Sequence, residues 1–311
     1  MALVVGVHDC AEWRDLTEIW GWSVELAEDP AIGGHDQAAR VRGAAAMASY
    51  TRGDYARAER LAREGLAAAA GPAGEWACRH ALALAALSSG DFAGVIEHAA
   101  AAARAARGPT IDVGLAALAS VYAGDLDRAT GFHDRMAAVA VSPTMRGFAA
   151  YIAGEIDNAA GRPDRAEESY TSALDLARTS GATFLVGITS VGLVTARAAA
   201  GRVGDALVGY REVIDYWQAA GNWTHQWVTL RNLADLLAAL GDPEPAALLR
   251  AAADQAPDAP PDPAADDPPA GPVDRTRALD VARAAIDRNL AVTAGRVPDA
   301  AGRAGRSGRP G

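Results

Sequence analysis

The stretch GRPDRAEESYTSALDLA, residues 161–177, opens with a turn that recurs along most of the chain. In the recurring pattern a glycine is usually followed by Asp or Arg, and often by an alanine five residues after the glycine. The pattern starts at six glycines, with spacings of 37, 34, 37, 40 and 40 residues: Gly53, Gly90, Gly124, Gly161, Gly201 and Gly241. A period this regular predicts a protein built from internal repeats.

The chemistry of these turns indicates that each one joins two helices. Glycine ends a helix in the left-handed conformation, which other residues adopt only at a cost. An adjacent Asp accepts hydrogen bonds from the free amides at the start of the next helix. Pro163 and Pro243 stand where that helix would begin, and the missing N–H of proline costs nothing there. We therefore predict helix hairpins with arms of roughly 15 residues that bury their apolar faces by stacking.

The composition favours the same architecture. Hydrophobic residues make up 50% of the chain and aromatic residues 6%, and alanine accounts for much of the difference. Alanine forms helices well but fills a core poorly, so an alanine-rich chain must bring helix backbones close together. The fold class predicted from these observations is all-α, with many short, tightly packed helices.

Along residues 35–255 the chain resembles the tetratricopeptide repeat (TPR) family. Ala166, Tyr170 and Ala173 fall at that family's small–aromatic–small spacing. Small residues also stand seven positions before five of the six turn glycines, with Val194 as the departure: Ala46, Ala83, Ala117, Gly154, Val194 and Ala234. The resemblance implies an α-solenoid, an αα superhelix of about six TPR-like hairpins, although most spacings exceed the family's 34-residue unit.

The resemblance also implies a binding groove, because the first helix of each TPR hairpin faces the concave side of the stack. The family's inward-facing positions correspond here to Phe148, Tyr151, Glu155, Asn158, Thr195, Arg231 and Asp235. Arg231 with Asn158 would hold a peptide carboxylate or backbone, because guanidinium binds carboxylate through two hydrogen bonds. The competing interpretation is that Arg231 pairs with Asp235, four residues further along the same helix.

A narrower resemblance rests on residues 220–254 and on EIWGWSVELAEDP, residues 18–30. Both are similar to the C-terminal helical repeats of large actinobacterial STAND-type ATPases, regulators associated with SARP and LuxR-like transcriptional activators. In such proteins an NTPase precedes the repeats, whereas this chain carries no Walker A motif. The resemblance implies a sensor or scaffold part, either a fragment or a separate gene. Its partners would be proteins or peptides, including an NTPase or a transcriptional regulator.

The aromatic residues near the last repeats suggest a buried seam. GNWTHQW, residues 221–227, follows Trp217 and spans the junction between the fifth and sixth hairpins. Trp223 and Trp227 lie four residues apart on one helical face, so we predict that they pack near Trp217 across the turn. His225 is predicted to point toward solvent or the edge of the groove.

Both ends of the chain differ from the repeats. Residues 1–34 are predicted to form capping helices, on which Trp13 and Trp20 share a face. The remaining segments are a Pro/Asp-rich linker (256–272), an amphipathic helix that docks back or binds a partner (273–291), and a disordered Arg/Gly tail (292–311).

Charge and residue usage exclude several functions. The net charge is −10, so we expect no direct binding to nucleic acid and none to a membrane. All 29 basic residues are arginines, which excludes a P-loop lysine and a Schiff-base lysine. Two cysteines, Cys10 and Cys78, do not suggest a disulfide framework. No secretion signal or membrane-spanning run is found, and a cytoplasmic location is predicted.

Catalytic signatures are largely missing, and we expect neither an enzyme nor a cofactor. Cys78 and His80 are two apart on a helix and point in different directions, so no zinc site is expected there. The leading hypothesis is a non-catalytic module that binds protein, peptide or a small ligand in its groove. The alternative is an α/α enzyme, which a deep pocket with clustered His, Asp, Glu and Tyr would favour.

Overall fold

The computed structural model describes residues 13–106, 111–261 and 274–295, together with Gly6. In these ranges the chain forms fourteen α-helices and no strand. The helices are α1 (Thr17–Glu28), α2 (Ala38–Thr51), α3 (Tyr55–Ala67), α4 (Pro72–Ser88), α5 (Phe92–Ala106), α6 (Asp112–Tyr122), α7 (Leu126–Ala137), α8 (Pro143–Ala159), α9 (Pro163–Ser180), α10 (Thr183–Ala199), α11 (Val203–Ala220), α12 (Trp223–Ala239), α13 (Pro243–Gln255) and α14 (Arg275–Gly295). A short 3-10 helix, Pro30–Gly34, lies between α1 and α2.

The predicted all-α class and the helix hairpins are confirmed. Helices α2 to α13 form consecutive pairs, and each helix packs mainly on its neighbours in the chain, as in an α-solenoid. All six turn glycines have left-handed backbones, with φ between 69° and 82°. Pro163 and Pro243 are the first residues of α9 and α13, as their missing N–H requires.

Small residues at the crossing of the two helices make room for an aromatic ring. Tyr170 of α9 is fully buried between Gly154 of α8 and Gly192 of α10. A Cβ atom on Gly154 would lie 2.5 Å from Tyr170 Cε1, and one on Gly192 would lie 2.6 Å from the same atom. Val194, the departure from the small-residue pattern, packs against Gly209 of α11, so here the small residue stands on the partner helix.

The two tryptophans predicted to pack near Trp217 lie in a different core cluster from it. Trp217 belongs to a core cluster formed largely by α6 to α11, whereas Trp227 belongs to a second cluster formed by α10 to α14. Trp223 is partly buried against the second cluster. The ring that stacks on Trp217 is His225, 5.0 Å away between centroids. Residue 225 is two positions from either tryptophan, so it occupies the opposite face of α12.

The N-terminal segment reaches the middle of the array. Helix α1 begins at Thr17, so the prediction that Trp13 and Trp20 share a helical face is wrong. Trp13 precedes the helix, and its carbonyl accepts a hydrogen bond from Phe184 N at 3.0 Å. Tyr216 donates a hydrogen bond to the Asp15 carboxylate. These contacts place residues 13–16 against the start of α10.

The first and sixth hairpins are in direct contact, so the array closes on itself. Thr224 Oγ1 of α12 donates to the Tyr50 carbonyl of α2 at 2.6 Å, and Tyr55 Oη lies 2.9 Å from the same Thr224 oxygen. Asp258, beyond α13, accepts a hydrogen bond from Trp227 Nε1 at 2.8 Å and forms an ion pair with Arg275. We call this set of contacts the closure.

The C-terminal segments pack on the solenoid. Residues 256–261 are the start of the predicted extended linker, but they pack beside the closure and along the groove. Residues 262–273 lie outside the described part. Helix α14 docks on α11 and α13 and buries Ala282 and Ile286 completely. It extends to Gly295, four residues beyond the predicted end. The rest of the predicted tail, residues 296–311, and residues 1–12 except Gly6 lie outside the described part.

Candidate functional site

The inner face of the closed array contains two adjoining cavities. The first, which we call the apolar chamber, has a volume of about 120 Å³. The first helices of all six hairpins contribute to its wall, including Leu115 of α6 and Phe148 of α8. Trp13 and Trp20, from the N-terminal segment and α1, complete the wall. An apolar wall of this kind favours an apolar or aromatic group.

The second cavity, the polar chamber, has a volume of about 520 Å³. Glu155 of α8 and Arg231 of α12 contribute its charged side chains, and Pro260 and Pro261 cover part of it. The residues common to the two chambers are Tyr50, Leu87, Tyr122, Tyr151, Ile188 and His225. The chambers therefore form one groove with an apolar and a polar half.

Six of the seven residues predicted for the groove line these chambers. Tyr151, Glu155, Asn158, Thr195 and Arg231 line the polar chamber, and Tyr151 also lines the apolar chamber together with Phe148. Asp235 borders neither chamber. Its side chain is 71% exposed and binds Arg250 Nη2 of α13 at 2.6 Å.

Arg231 is bound by its own chain, and the expected Arg231–Asp235 pair does not form. Its Nη2 lies 3.2 Å from Asp254 Oδ1, and its Nη1 donates to the carbonyl of Pro260 at 2.7 Å. The physical reason is that Arg231 points into the groove, where residues 254–261 offer it acceptors, while Asp235 lies on the outer side. Asn158 lines the same chamber as Arg231.

Glu155 lies among tyrosines. Its Oε1 accepts from Tyr170 Oη at 2.7 Å and its Oε2 from Tyr122 Oη at 3.2 Å, and Tyr151 also hydrogen-bonds to it. Burial raises the pKa of the Glu155 carboxyl, and the tyrosine hydrogen bonds partly oppose that shift. Tyr122 keeps 47% of its surface exposed toward the groove. This cluster was not foreseen, because TPR spacing predicts where side chains point and not which ones meet.

A buried histidine–carboxylate pair supports the wall of the apolar chamber. His80 Nδ1 lies 2.8 Å from Asp112 Oδ1, and Trp76 Nε1 donates to Asp112 Oδ2, also at 2.8 Å. Asp112 is fully buried and His80 is 4% exposed. A carboxylate beside imidazole fixes the ring orientation. The only sequence signal was Asp112 itself, an acidic residue at the start of an apolar helix, and sequence reasoning did not use it.

The cysteine–histidine neighbours of the sequence do not meet. Cys78 Sγ donates to the carbonyl of Ala39 at 3.3 Å, and burial raises the pKa of the thiol to about 12. His8 and Cys10 lie outside the described part of the chain. In residues 13–106, 111–261 and 274–295, no three His, Cys, Asp or Glu side chains are placed to hold a metal ion. None of the helices described over those ranges has the length and apolar character to cross a membrane.

His225 forms part of the wall between the chambers. Its ring stacks on Trp217 and lies edge-on to Phe184, with centroids 5.0 and 5.1 Å apart. Nδ1–H of the neutral ring donates to Asn222 Oδ1 at 2.9 Å, and the same oxygen caps α12. Burial lowers the pKa of His225 to about 4, so the ring is neutral at pH 7.

Protonation of His225 is expected to destabilise the protein in acid. The pKa falls from 6.5 to about 4 on folding, so between these pH values the unfolded chain binds a proton that the folded chain does not. Stability is therefore lost as pH falls from 6.5 to 4, by about 3 kcal/mol. Urea unfolding at pH 7 and pH 4 will show that loss in the wild type relative to His225→Phe. An equal pH dependence in the two proteins would contradict the burial of His225.

Comparison with known proteins assigns no family to the chain. No protein-family model matches it, and no curated protein is significantly similar to it in sequence. The candidate site is therefore defined by geometry: an apolar chamber, a polar chamber with one carboxylate among phenols, and a neutral histidine between them.

Proposed function

We propose that the chain is a non-catalytic, TPR-like sensor or scaffold module that binds a small amphipathic ligand in its inner groove. The observation that carries this proposal is the concentration of aromatic rings. Aromatic residues make up 6% of the chain, yet seven of the described residues that line the apolar chamber are aromatic. In an alanine-rich protein such a wall fits an apolar ligand.

The closed form of the array favours a small ligand over a folded protein. Residues 13–16 cover one side of the groove, and residues 256–261 cover part of the polar chamber. The first and sixth hairpins meet at the closure. A folded partner would have to open these contacts, whereas a small molecule or a short peptide end fits the cavity as it stands.

Filling the apolar chamber should abolish binding of a neutral apolar dye. We expect N-phenyl-1-naphthylamine to bind saturably at one site, with a rise in its fluorescence. Leu115→Trp places extra bulk in the chamber and should weaken dye binding at least about tenfold. Val208→Trp, at a position 49% exposed on α11, is the matched control and should bind as the wild type does. Equal binding by both variants would place the dye elsewhere and contradict the proposal.

We also infer a regulatory role: the chain would be the regulatory part of an ATP-dependent transcriptional regulator, without the NTPase and DNA-binding domains of such a protein. This inference rests on the resemblance of residues 18–30 and 220–254 to the repeats of such regulators. The immobilised protein is expected to retain an NTPase or a transcriptional regulator from an actinobacterial lysate. Repeated experiments that retain neither would count against this role.

Two side-chain clusters favour the alternative, an α/α enzyme. Glu155 with its tyrosines, and His80 with Asp112, are the kind of cluster that an active site needs. Burial, however, raises the pKa of Tyr151 well above the ordinary value, so this phenol stays protonated and donates its hydrogen bond. Such a set suits holding charge better than transferring protons. Mass spectrometry of a ligand recovered after incubation separates the two functions, because only an enzyme changes it.

A further inference from the structure

We propose that the ligand of the groove is a cationic amine with an aryl or alkyl body. Its ammonium group would lie at Glu155 and its body in the apolar chamber. This inference rests on the proposed function and specifies the chemistry of the ligand. It depends on three features of the groove: a carboxylate without a cationic partner, aromatic rings beside that carboxylate, and the position of the apolar chamber.

The first feature is the charge balance of the polar chamber. Within the described residues, Glu155 takes part in no ion pair, and it accepts hydrogen bonds from the hydroxyl groups of Tyr122, Tyr151 and Tyr170. Hydrogen bonds reduce the cost of enclosing a carboxylate, but an opposite charge reduces it further. The groove therefore offers a place for a cation at Glu155.

The other charged groups of the chamber do not supply that cation. Arg231 shares its charge with Asp254 and donates to the Pro260 carbonyl. His225 also faces the chamber and is neutral at pH 7 because burial lowers its pKa to about 4. A ligand carboxylate would meet Glu155, which has no cationic partner, and an arginine that already has a carboxylate partner. The chamber thus selects against anions.

The second feature is the set of rings around the head of the ligand. Tyr122 and Tyr151 line both chambers and also hydrogen-bond to Glu155. The face of an aromatic ring attracts a cation, and recognition of ammonium groups commonly combines such faces with a carboxylate. Tyr122 is 47% exposed and lines both chambers, so part of its surface is open to a ligand.

The third feature is the depth of the groove. The apolar chamber continues from Tyr122 and Tyr151 toward Leu115, Phe148 and Trp13. An amine whose head sits at Glu155 can extend an aryl or alkyl body in that direction. A small hydrophilic cation would leave this chamber unfilled and would gain nothing from its apolar walls.

The test compares three probes of similar shape and different charge on the full chain at pH 7.5. The probes are 2-phenylethylamine, the neutral 2-phenylethanol and the anionic 3-phenylpropionate, each measured by isothermal titration calorimetry. We expect the amine to bind about tenfold more tightly than the alcohol, and the acid to bind most weakly. Glu155→Gln keeps hydrogen-bonding atoms but removes the charge, and should bring the amine and the alcohol within about threefold.

Two further variants act as controls. Glu155→Asp keeps the charge and should retain part of the preference for the amine. Asp235→Asn removes an acid that lies outside both chambers and should leave the preference unchanged. Circular dichroism melts identify any variant that does not fold, and if Glu155→Gln does not, the comparison of the amine with the alcohol on the wild-type protein decides the inference.

The outcomes separate this inference from the proposed function. Equal binding of amine and alcohol, or retention of the amine preference in Glu155→Gln, would overturn the assignment of a cationic ligand. Dye binding that depends on Leu115 would still support a ligand groove in that case. A failure of all three phenyl probes while the dye binds would also overturn the inference, and a failure of the dye as well would remove both.

Discussion

Replacement of Trp217 by alanine will destabilise the protein by about 3–5 kcal/mol. The indole is fully buried and lies among Phe184, Tyr216 and His225, with ring centroids between 4.9 and 6.1 Å apart. Gly187 of α10 lies directly against the indole, and the backbones of the surrounding helices cannot move inward to fill the space without losing their own contacts. Urea unfolding followed by circular dichroism measures the loss.

The matched control is Trp22→Ala. Trp22 is 47% exposed on α1, so its removal should change the free energy of unfolding by about 0.5 kcal/mol or less. Trp217→Ala should also raise the pKa of His225 toward its ordinary value, because water reaches the ring that stacks on the indole. Equal effects of the two substitutions would show that Trp217 is not a core residue.

Replacement of Asp258 by alanine will cost about 2–4 kcal/mol and open the closure. The carboxylate is 19% exposed, accepts from Trp227 Nε1 at 2.8 Å and pairs with Arg275. Its loss leaves an indole N–H and a guanidinium without their acceptor. The free energy of unfolding tests the cost, and small-angle X-ray scattering should show a larger radius of gyration. Asp235→Ala removes an exposed acid and is the control.

A pair of glycine variants tests the position of Asp258 in the closure independently. Gly53 and Gly161 both have left-handed backbones, with φ of 78° and 69°. A Cβ atom at Gly53 would lie 2.6 Å from Asp258 Cα, whereas one at Gly161 would meet nothing within 4 Å. Gly161→Ala should cost about 1–2 kcal/mol through its backbone alone, and Gly53→Ala should cost more. Equal costs would contradict the position of Asp258 in the closure.

The turns and the inward-facing positions could be predicted because they depend on local rules. A glycine with positive φ ends a helix whatever lies around it, and Gly53 to Gly241 follow that rule. Helical spacing within a hairpin places Tyr151, Glu155 and Asn158 on one side of α8. Six of the seven predicted groove residues line the chambers for this reason.

The closure could not be predicted, because it depends on small rotations that accumulate over six hairpins. Tyr50 and Thr224 are 174 residues apart, and no local pattern relates them. The position of Trp13 could not be predicted either. Its spacing of seven residues from Trp20 is typical of one helical face, although Trp13 lies before the start of α1. Asp258 illustrates why composition alone misled the prediction. The segment that it belongs to is rich in Pro and Asp, as free linkers are, yet the Asp258 carboxylate binds Trp227 and holds the start of the segment against the solenoid.

The histidine–carboxylate pair and the Glu155 cluster were missed for a different reason. The partners come from separate repeats or helices, as His80 and Asp112 do across 32 positions. A TPR comparison gives the direction of each side chain, but a hydrogen bond also requires the distance between neighbouring hairpins. That distance depends on the packing of small residues such as Gly154 and Gly192 around Tyr170.

Competition between the dye and the amine tests whether the closed array holds a ligand groove. In one titration, 2-phenylethylamine is added to the wild-type protein saturated with N-phenyl-1-naphthylamine. We predict complete displacement of the dye, and a displacement that requires much more amine in Glu155→Gln. Dye that binds equally well after Leu115→Trp fills the apolar chamber would contradict the ligand groove, and dye that stays bound at saturating amine would contradict the cationic ligand.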